Sequence, residues 1–182
     1  RGDTPEEDAA LRLELEQSEK DKSELLMIVD LERNDLNRVC RPGSVKVTEL
    51  FAVEAYATVF HLVSNIQGQL AEGMDVTDLL KAAFPGGSIT GAPKYRAMEI
   101  IDQLENNKRG TYGGAIGYLD FTGNLDVCIA IRLAFQKNGK VFVRSGAGIV
   151  ADSVPEKEYQ ECINKAQAVV SALELAQKEK DL

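Results

Sequence analysis

Arg144-Ser145-Gly146-Ala147-Gly148-Ile149-Val150-Ala151-Asp152-Ser153-Val154-Pro155-Glu156 is the stretch on which the fold turns. Its Gly146-x-Gly148-x-x-Ala151 spacing matches the dinucleotide fingerprint, which demands a parallel sheet and a helix opening inside the motif. Ile149 and Val150 instead prolong a strand-like pattern, and helical spacing starts only after Ser153, with Ser153-x-x-Glu156 read as a capping box. Upstream, strands are expected at 115–120, 125–135 and 141–150, joined by Gly123-Asn124 and Asn138-Gly139, both hairpin signals. Hairpin-linked strands are antiparallel, so a nicotinamide or flavin site is rejected. The expected class is α+β, with antiparallel sheets covered by helices.

Working outward, the last helix runs to about Lys178, with a core face of Tyr159, Cys162, Ile163, Ala166, Val169, Val170 and Leu173. At the other end, Thr4-Pro5-Glu6-Glu7 reads as a capped helix start. Apolar residues then keep helical spacing as far as Arg41-Pro42-Gly43, with a break expected near Ser23. Strands at 44–53 and 56–66 follow, the second apolar on both faces as in a strand buried between layers. Asp75 caps a short helix through Ala83, and Pro93 suits the first turn of a helix ending near Leu104. Between them, Pro85–Lys94 hints at a P-loop. It lacks the Gly-Lys-Ser/Thr ending, because Ala92-Pro93 separates Gly91 from Lys94, so ATP hydrolysis is rejected on spacing.

The 182 residues are 44% hydrophobic, enough for one domain or part of a larger one. A net charge of −8 disfavours a nucleic-acid partner, since neutralising phosphates needs a basic excess. No apolar run approaches the roughly 18 residues that span a bilayer, so no membrane partner is expected. Cys40, Cys128 and Cys162 are odd in number and widely spaced, and His61 is the single histidine; a disulfide framework and a multi-histidine metal centre are both disfavoured. The expected location is cytoplasmic.

Several side chains carry chemistry in one reading and none in another. Glu158, Glu161 and Lys165 fall at i, i+3 and i+7, one stripe beside the core face of the last helix. That stripe is either a solvated face with internal ion pairs or a magnesium site, since this ion takes one or two carboxylates and keeps several waters. Glu24, Glu32 and Asp35 offer a second carboxylate source. Arg132 alternates with Cys128, Ala130 and Ala134, small neighbours that leave room for a fork aimed at a bound carboxylate; an edge-strand arginine facing water is the other reading. His61 is either a satisfied core histidine or a proton carrier near neutral pH. Glycines of both rich loops let backbone N–H groups approach an anion. Together these features suit a magnesium-assisted reaction on a small dicarboxylate.

Ser23–Leu36, His61-Leu62-Val63-Ser64, Pro85–Lys94, Tyr112–Tyr118 and Ser145–Glu156 resemble, in order and over nearly the whole chain, the successive motifs of the chorismate-utilising enzymes. The resemblance implies that residues 1–182 are the C-terminal portion of the chorismate-binding catalytic domain, inactive alone. It implies chorismate as substrate and Mg2+ as cofactor. Glu24 and Glu161, with Glu158 beside them, match the family's metal ligands, and the metal binds the ring carboxylate and favours loss of the C4 hydroxyl. Arg132 and Tyr112 match residues holding the enolpyruvyl carboxylate, and Gly146, Ala147 and Gly148 match the backbone lining the substrate. His61 matches the histidine near the departing hydroxyl, Ser88 a neighbouring hydroxyl position, and Lys165 a lysine near the metal shell.

Within the family, Pro85–Lys94 and Tyr56–His61 look more like the aminodeoxychorismate-forming branch. That branch exchanges the C4 hydroxyl for an amino group with ammonia from a glutamine amidotransferase subunit, on the way to para-aminobenzoate and folate. Gly146–Glu156 is equally at home in the anthranilate-forming branch, the second expectation, and the isochorismate-forming branch ranks third. The discriminating Pro-Ile-x-Gly-Thr segment of the family falls upstream of Arg1; lysine at x marks the first branch and can act as a covalent nucleophile. A catalytically silent fragment or docking module is the expectation from a different class.

Overall fold

The computed structural model describes residues 1–151 and 153–180, with side chains described as far as Lys178; Asp152 of the glycine motif lies outside them. The chain divides into two units, Arg1–Ala83 and Phe84–Leu182.

The first unit contains α1 (Pro5–Gln17), α2 (Glu19–Asn37), β1 (Lys46–Ala55), β2 (Phe60–Gln67) and α3 (Val76–Ala83). The Thr4–Glu7 capping box forms as expected, each side chain accepting from the other's backbone N–H. The helix break falls at Ser18 rather than near Ser23. The Ser18 hydroxyl accepts the Asp21 N–H at 3.2 Å, so one serine ends α1 and caps α2. Serine competes for local backbone bonds in this way and seldom stays neutral inside a helix. Val39, Cys40 and Ala82 form a small apolar core with Leu36, Val45, Leu70 and Leu79 packed on it. β1 and β2 pair antiparallel, with register shifts between Val47 and Ala52. β2 is half-buried or exposed along its length, not sandwiched, because its ladder partner in this two-stranded sheet is β1 alone.

The second unit holds a short 3-10 turn (Gly87–Ile89), α4 (Lys94–Leu104), hairpins β3 (Ala115–Leu119) with β4 (Leu125–Ile129) and β5 (Ala134–Lys137) with β6 (Lys140–Val143), then α5 (Pro155–Lys180). Pro93 stands at the N-cap of α4, one place earlier than expected. Asn138 and Gly139, both at positive φ, make the two-residue turn that their sequence announces. The β3–β4 loop is longer: Asp120 accepts from the backbone N–H and side chain of both Thr122 and Asn124.

The α+β class with antiparallel sheets holds, and two expected strands are shorter. The 125–135 run breaks after Ile129, where Ala130 turns to bond Gly113 and Gly114 (2.9 and 2.8 Å) and Arg132 takes φ 55°. The 141–150 run ends at Val143. Beyond it Ser145 donates to the Cys162 carbonyl at 2.7 Å, and the Ser153 hydroxyl accepts the Val150 N–H at 3.0 Å instead of capping a helix that begins at Pro155. The glycine motif therefore has no helix opening inside it, which upholds the rejection of a dinucleotide site.

Candidate active site

Within the second unit, the expected site residues Tyr112 and Gly146 meet, and two arginines surround the tyrosine ring. The turn carrying it is pinned to the end of β4 by the Gly113 and Gly114 bonds to Ala130. Gly113 has φ +81°, and a Cβ there would collide with the Ile89 side chain, so this position requires glycine. The half-buried Tyr112 ring is flanked by two guanidinium groups, Arg109 at 5.8 Å and Arg144 at 5.9 Å from its centroid.

Both arginines converge on Glu105, the C-cap of α4. Arg109 donates through Nε and Nη2, the latter at 2.7 Å, and Arg144 donates through Nη2 at 2.5 Å. The Arg109 hydrogen bonds, against a smaller opposing effect of burial, hold the Glu105 carboxyl below its usual range. The outer arms reach further. Arg109 Nη1 donates to the Ile89 carbonyl at 2.7 Å, and Arg144 Nη1 donates to Asn107 Oδ1 and the Lys108 carbonyl at 2.7 and 3.0 Å.

The segment after β6 runs past the same ring. A Cβ on Gly146 would lie 3.0 Å from the Tyr112 hydroxyl, so the missing side chain is what admits the phenol. Ala147 and Glu158 line one cavity of about 390 Å³, with Ile149, Tyr159 and Cys162 among its other walls. On α5 the acidic stripe turns inward: Glu158, Glu161 and Lys165 are half-buried, while Tyr159 and Ile163, expected in the core, are 70% and 41% exposed. Glu161 and Lys165 form an ion pair.

The second unit thus brings together Tyr112, Gly146, Ala147 and Glu158, with the Glu161–Lys165 pair one turn further along α5. Ser88 is exposed in the 3-10 turn, whose last residue, Ile89, is held by Arg109. Gly148 is exposed, and Arg132 is exposed in the β4–β5 bend rather than on a strand face. In the first unit Glu24 is exposed on α2, and Asp35 is only 2% exposed. His61 is exposed on β2 opposite Glu54. The Tyr56 ring meets His61 edge-on at 5.3 Å, and its hydroxyl donates to Glu54 Oε2 at 2.5 Å.

Glu105, Arg109 and Arg144 escaped the sequence reading. Glu105-x-x-x-Arg109 has ion-pair spacing, but nothing local points to Arg144, 39 residues from Glu105.

Among the described residues, within neither unit do three His, Cys, Asp or Glu side chains converge on a metal-sized site. Glu158 and Glu161 nonetheless offer oxygen donors of the kind magnesium takes, one turn apart and half-buried. Lys165 occupies Glu161, and a cation there would compete with that ammonium. The donor chemistry fits.

A family model described as chorismate binding enzyme matches residues 1–171. Anthranilate synthase component 1 of Aquifex aeolicus is 51% identical over 181 residues, covering 100% of this chain and 37% of the relative. Aminodeoxychorismate synthase component 1 of Bacillus subtilis is 52% identical, covering 98% of this chain and 38% of the relative. The crystal structure of anthranilate synthase component I from Streptococcus pneumoniae superposes with a TM-score of 0.85 at 49% identity, covering 90% of this chain and 38% of that one. The chain spans less than two fifths of the length of these relatives. With the match running through both units, the chain belongs to the chorismate binding enzyme family.

Proposed function

We propose that this chain is the C-terminal portion of the catalytic domain of an aminodeoxychorismate synthase component I. The longer, cytoplasmic enzyme would replace the C4 hydroxyl of chorismate with an amino group, taking ammonia from a glutamine amidotransferase subunit. The observation that carries this reading is the close approach of Gly146 to the Tyr112 hydroxyl, with Ala147, next in the chain, on one wall of a cavity that half-buried Glu158 also lines.

Arg132 and Tyr112 would hold the enolpyruvyl carboxylate, the first through a charge-assisted fork and the second through its hydroxyl. The absent side chain at Gly146 lets backbone N–H groups and the phenol approach the same anion. Glu158 and Glu161 would hold Mg2+, which when bound would neutralise the ring carboxylate and ease departure of the C4 hydroxyl. By the family resemblance His61 would supply a proton to that oxygen so that it leaves as water. Lys165 would hold the Glu161 carboxylate in place through their ion pair.

Anthranilate synthase component I is the second reading, supported equally by 51% identity to a relative of that name beside 52% to the aminodeoxychorismate synthase. Product analysis of the full-length enzyme with chorismate, magnesium and ammonium separates the two. Aminodeoxychorismate is expected; anthranilate fluorescence without it overturns the first reading. A silent module is tested on this chain by chorismate titration with and without magnesium, where a signal that ignores the metal, or none, favours silence.

A further inference from the structure

We propose that Glu105 is a positioning residue for the carboxylate-binding side of this site, acting through Arg109 and Arg144 on Tyr112; the inference rests on Tyr112 being a substrate contact. Glu105 belongs to none of the motifs that carry the family resemblance. Its side chain is only 30% exposed and accepts from two guanidinium groups that reach it from different parts of the chain.

Each arginine then spends its remaining donors on a different segment. Arg109 reaches the carbonyl of Ile89, the last residue of the 3-10 turn carrying Ser88. Arg144 reaches Asn107 and Lys108, and lies two residues before Gly146. Both guanidinium groups stand about the Tyr112 ring at 5.8 and 5.9 Å. One carboxylate therefore ties together the Ser88 turn, the Tyr112 turn and the glycine segment. Two guanidiniums left without it would repel each other beside the ring, and their fork geometry cannot be kept by one neutral acceptor.

The test uses the full-length enzyme with chorismate, magnesium and ammonium. Tyr112 binds a part of the substrate that does not react, so Glu105→Gln should raise KM for chorismate about tenfold while kcat changes less than about twofold. Glu105→Asp should recover most of the loss. In a Tyr112→Phe background Glu105→Gln should add little further, because both changes remove one function. An unchanged KM, or fully additive effects, overturns the proposal. If Glu105→Gln does not fold, the Arg144→Lys and Tyr112→Phe cycle is read by the same criterion. A second readout needs no substrate: with 3-fluorotyrosine incorporated, the fluorine resonance of Tyr112 should move in Glu105→Asp and Arg144→Lys, and an unmoved resonance overturns the coupling. Wild-type enzyme that neither binds nor converts chorismate overturns the functional reading instead, while the fluorine signal still decides the Glu105–Tyr112 link.

Discussion

The two units are held together by different physics. In the first, Val29, Val39, Cys40 and Ala82 are buried, and two helices and a chain crossing close over an apolar cluster. In the second, Ala130 is the one buried hydrophobic among the described residues, every residue of β3 and β5 is exposed, and cohesion comes from turn bonds, close glycine approaches and the Glu105 pairs. Apolar burial is non-directional and tolerates substitution of like for like. A fork of charge-assisted hydrogen bonds is directional and fixes positions within fractions of an ångström. The unit with most of the expected substrate contacts is the one built the second way.

The largest test of this contrast is Val39→Asp. A carboxylate forced into the first unit's core should cost about 4 kcal/mol or more, read by urea unfolding. Protection of α2 and α3 amides should be lost first in hydrogen exchange. A cost below that of Arg144→Ala would break the contrast.

Arg144→Ala is the matching change in the second unit. Its pair with Glu105 is partly solvated, so the stability loss should be only about 1 kcal/mol, and high salt should shrink it. Val39→Ala, by comparison, should cost about 2 kcal/mol whatever the salt. A salt-independent Arg144→Ala effect would show that packing, not charge, holds the second unit.

Arg132→Gly should separate stability from binding. An arginine at φ 55° carries strain that glycine lacks, so the variant should gain about 1 kcal/mol in denaturant unfolding. Chorismate affinity should fall at least about tenfold in calorimetric titration. Loss of both would mean that the bend needs the arginine for folding.

The smallest effect concerns pH. Hydrogen bonds from Thr122 and then Asn124 lower the Asp120 carboxyl to about 2. A depressed pKa lends stability that is complete above the unfolded value of about 4 and disappears as pH falls through the folded one. The hairpin turn should therefore survive to about pH 3 and loosen near 2, followed by the Gly123 and Asn124 amide shifts. Asp120→Asn should remove this acid step. Glu105, also depressed, works in the same direction.

Sequence reading succeeded where the signal was local. The Thr4–Glu7 box, the Asn138-Gly139 turn, the antiparallel order and the lack of a helix inside Gly146–Ala151 all depend on neighbours a few residues apart. It misplaced features that long-range contacts set. The 125–135 strand breaks because Ala130 is claimed by the Gly113-Gly114 peptide, and the 141–150 strand stops where Ser145 is claimed by α5. Periodicity also put Tyr159 and Ile163 on the core face of the last helix, where they are exposed, while Cys162, Ala166, Val169, Val170 and Leu173 are half-buried as expected.

What the chain alone determined is therefore its class, several of its turns and its family resemblance, because each is written in residue spacing or in the order of motifs. Only the tertiary structure revealed that Glu105 joins Arg109, 4 residues on, and Arg144, 39 residues on, around Tyr112. Ion pairs between residues as distant as Glu105 and Arg144 leave no periodic trace in sequence. They exist only once folding has paired charges that spacing alone cannot match.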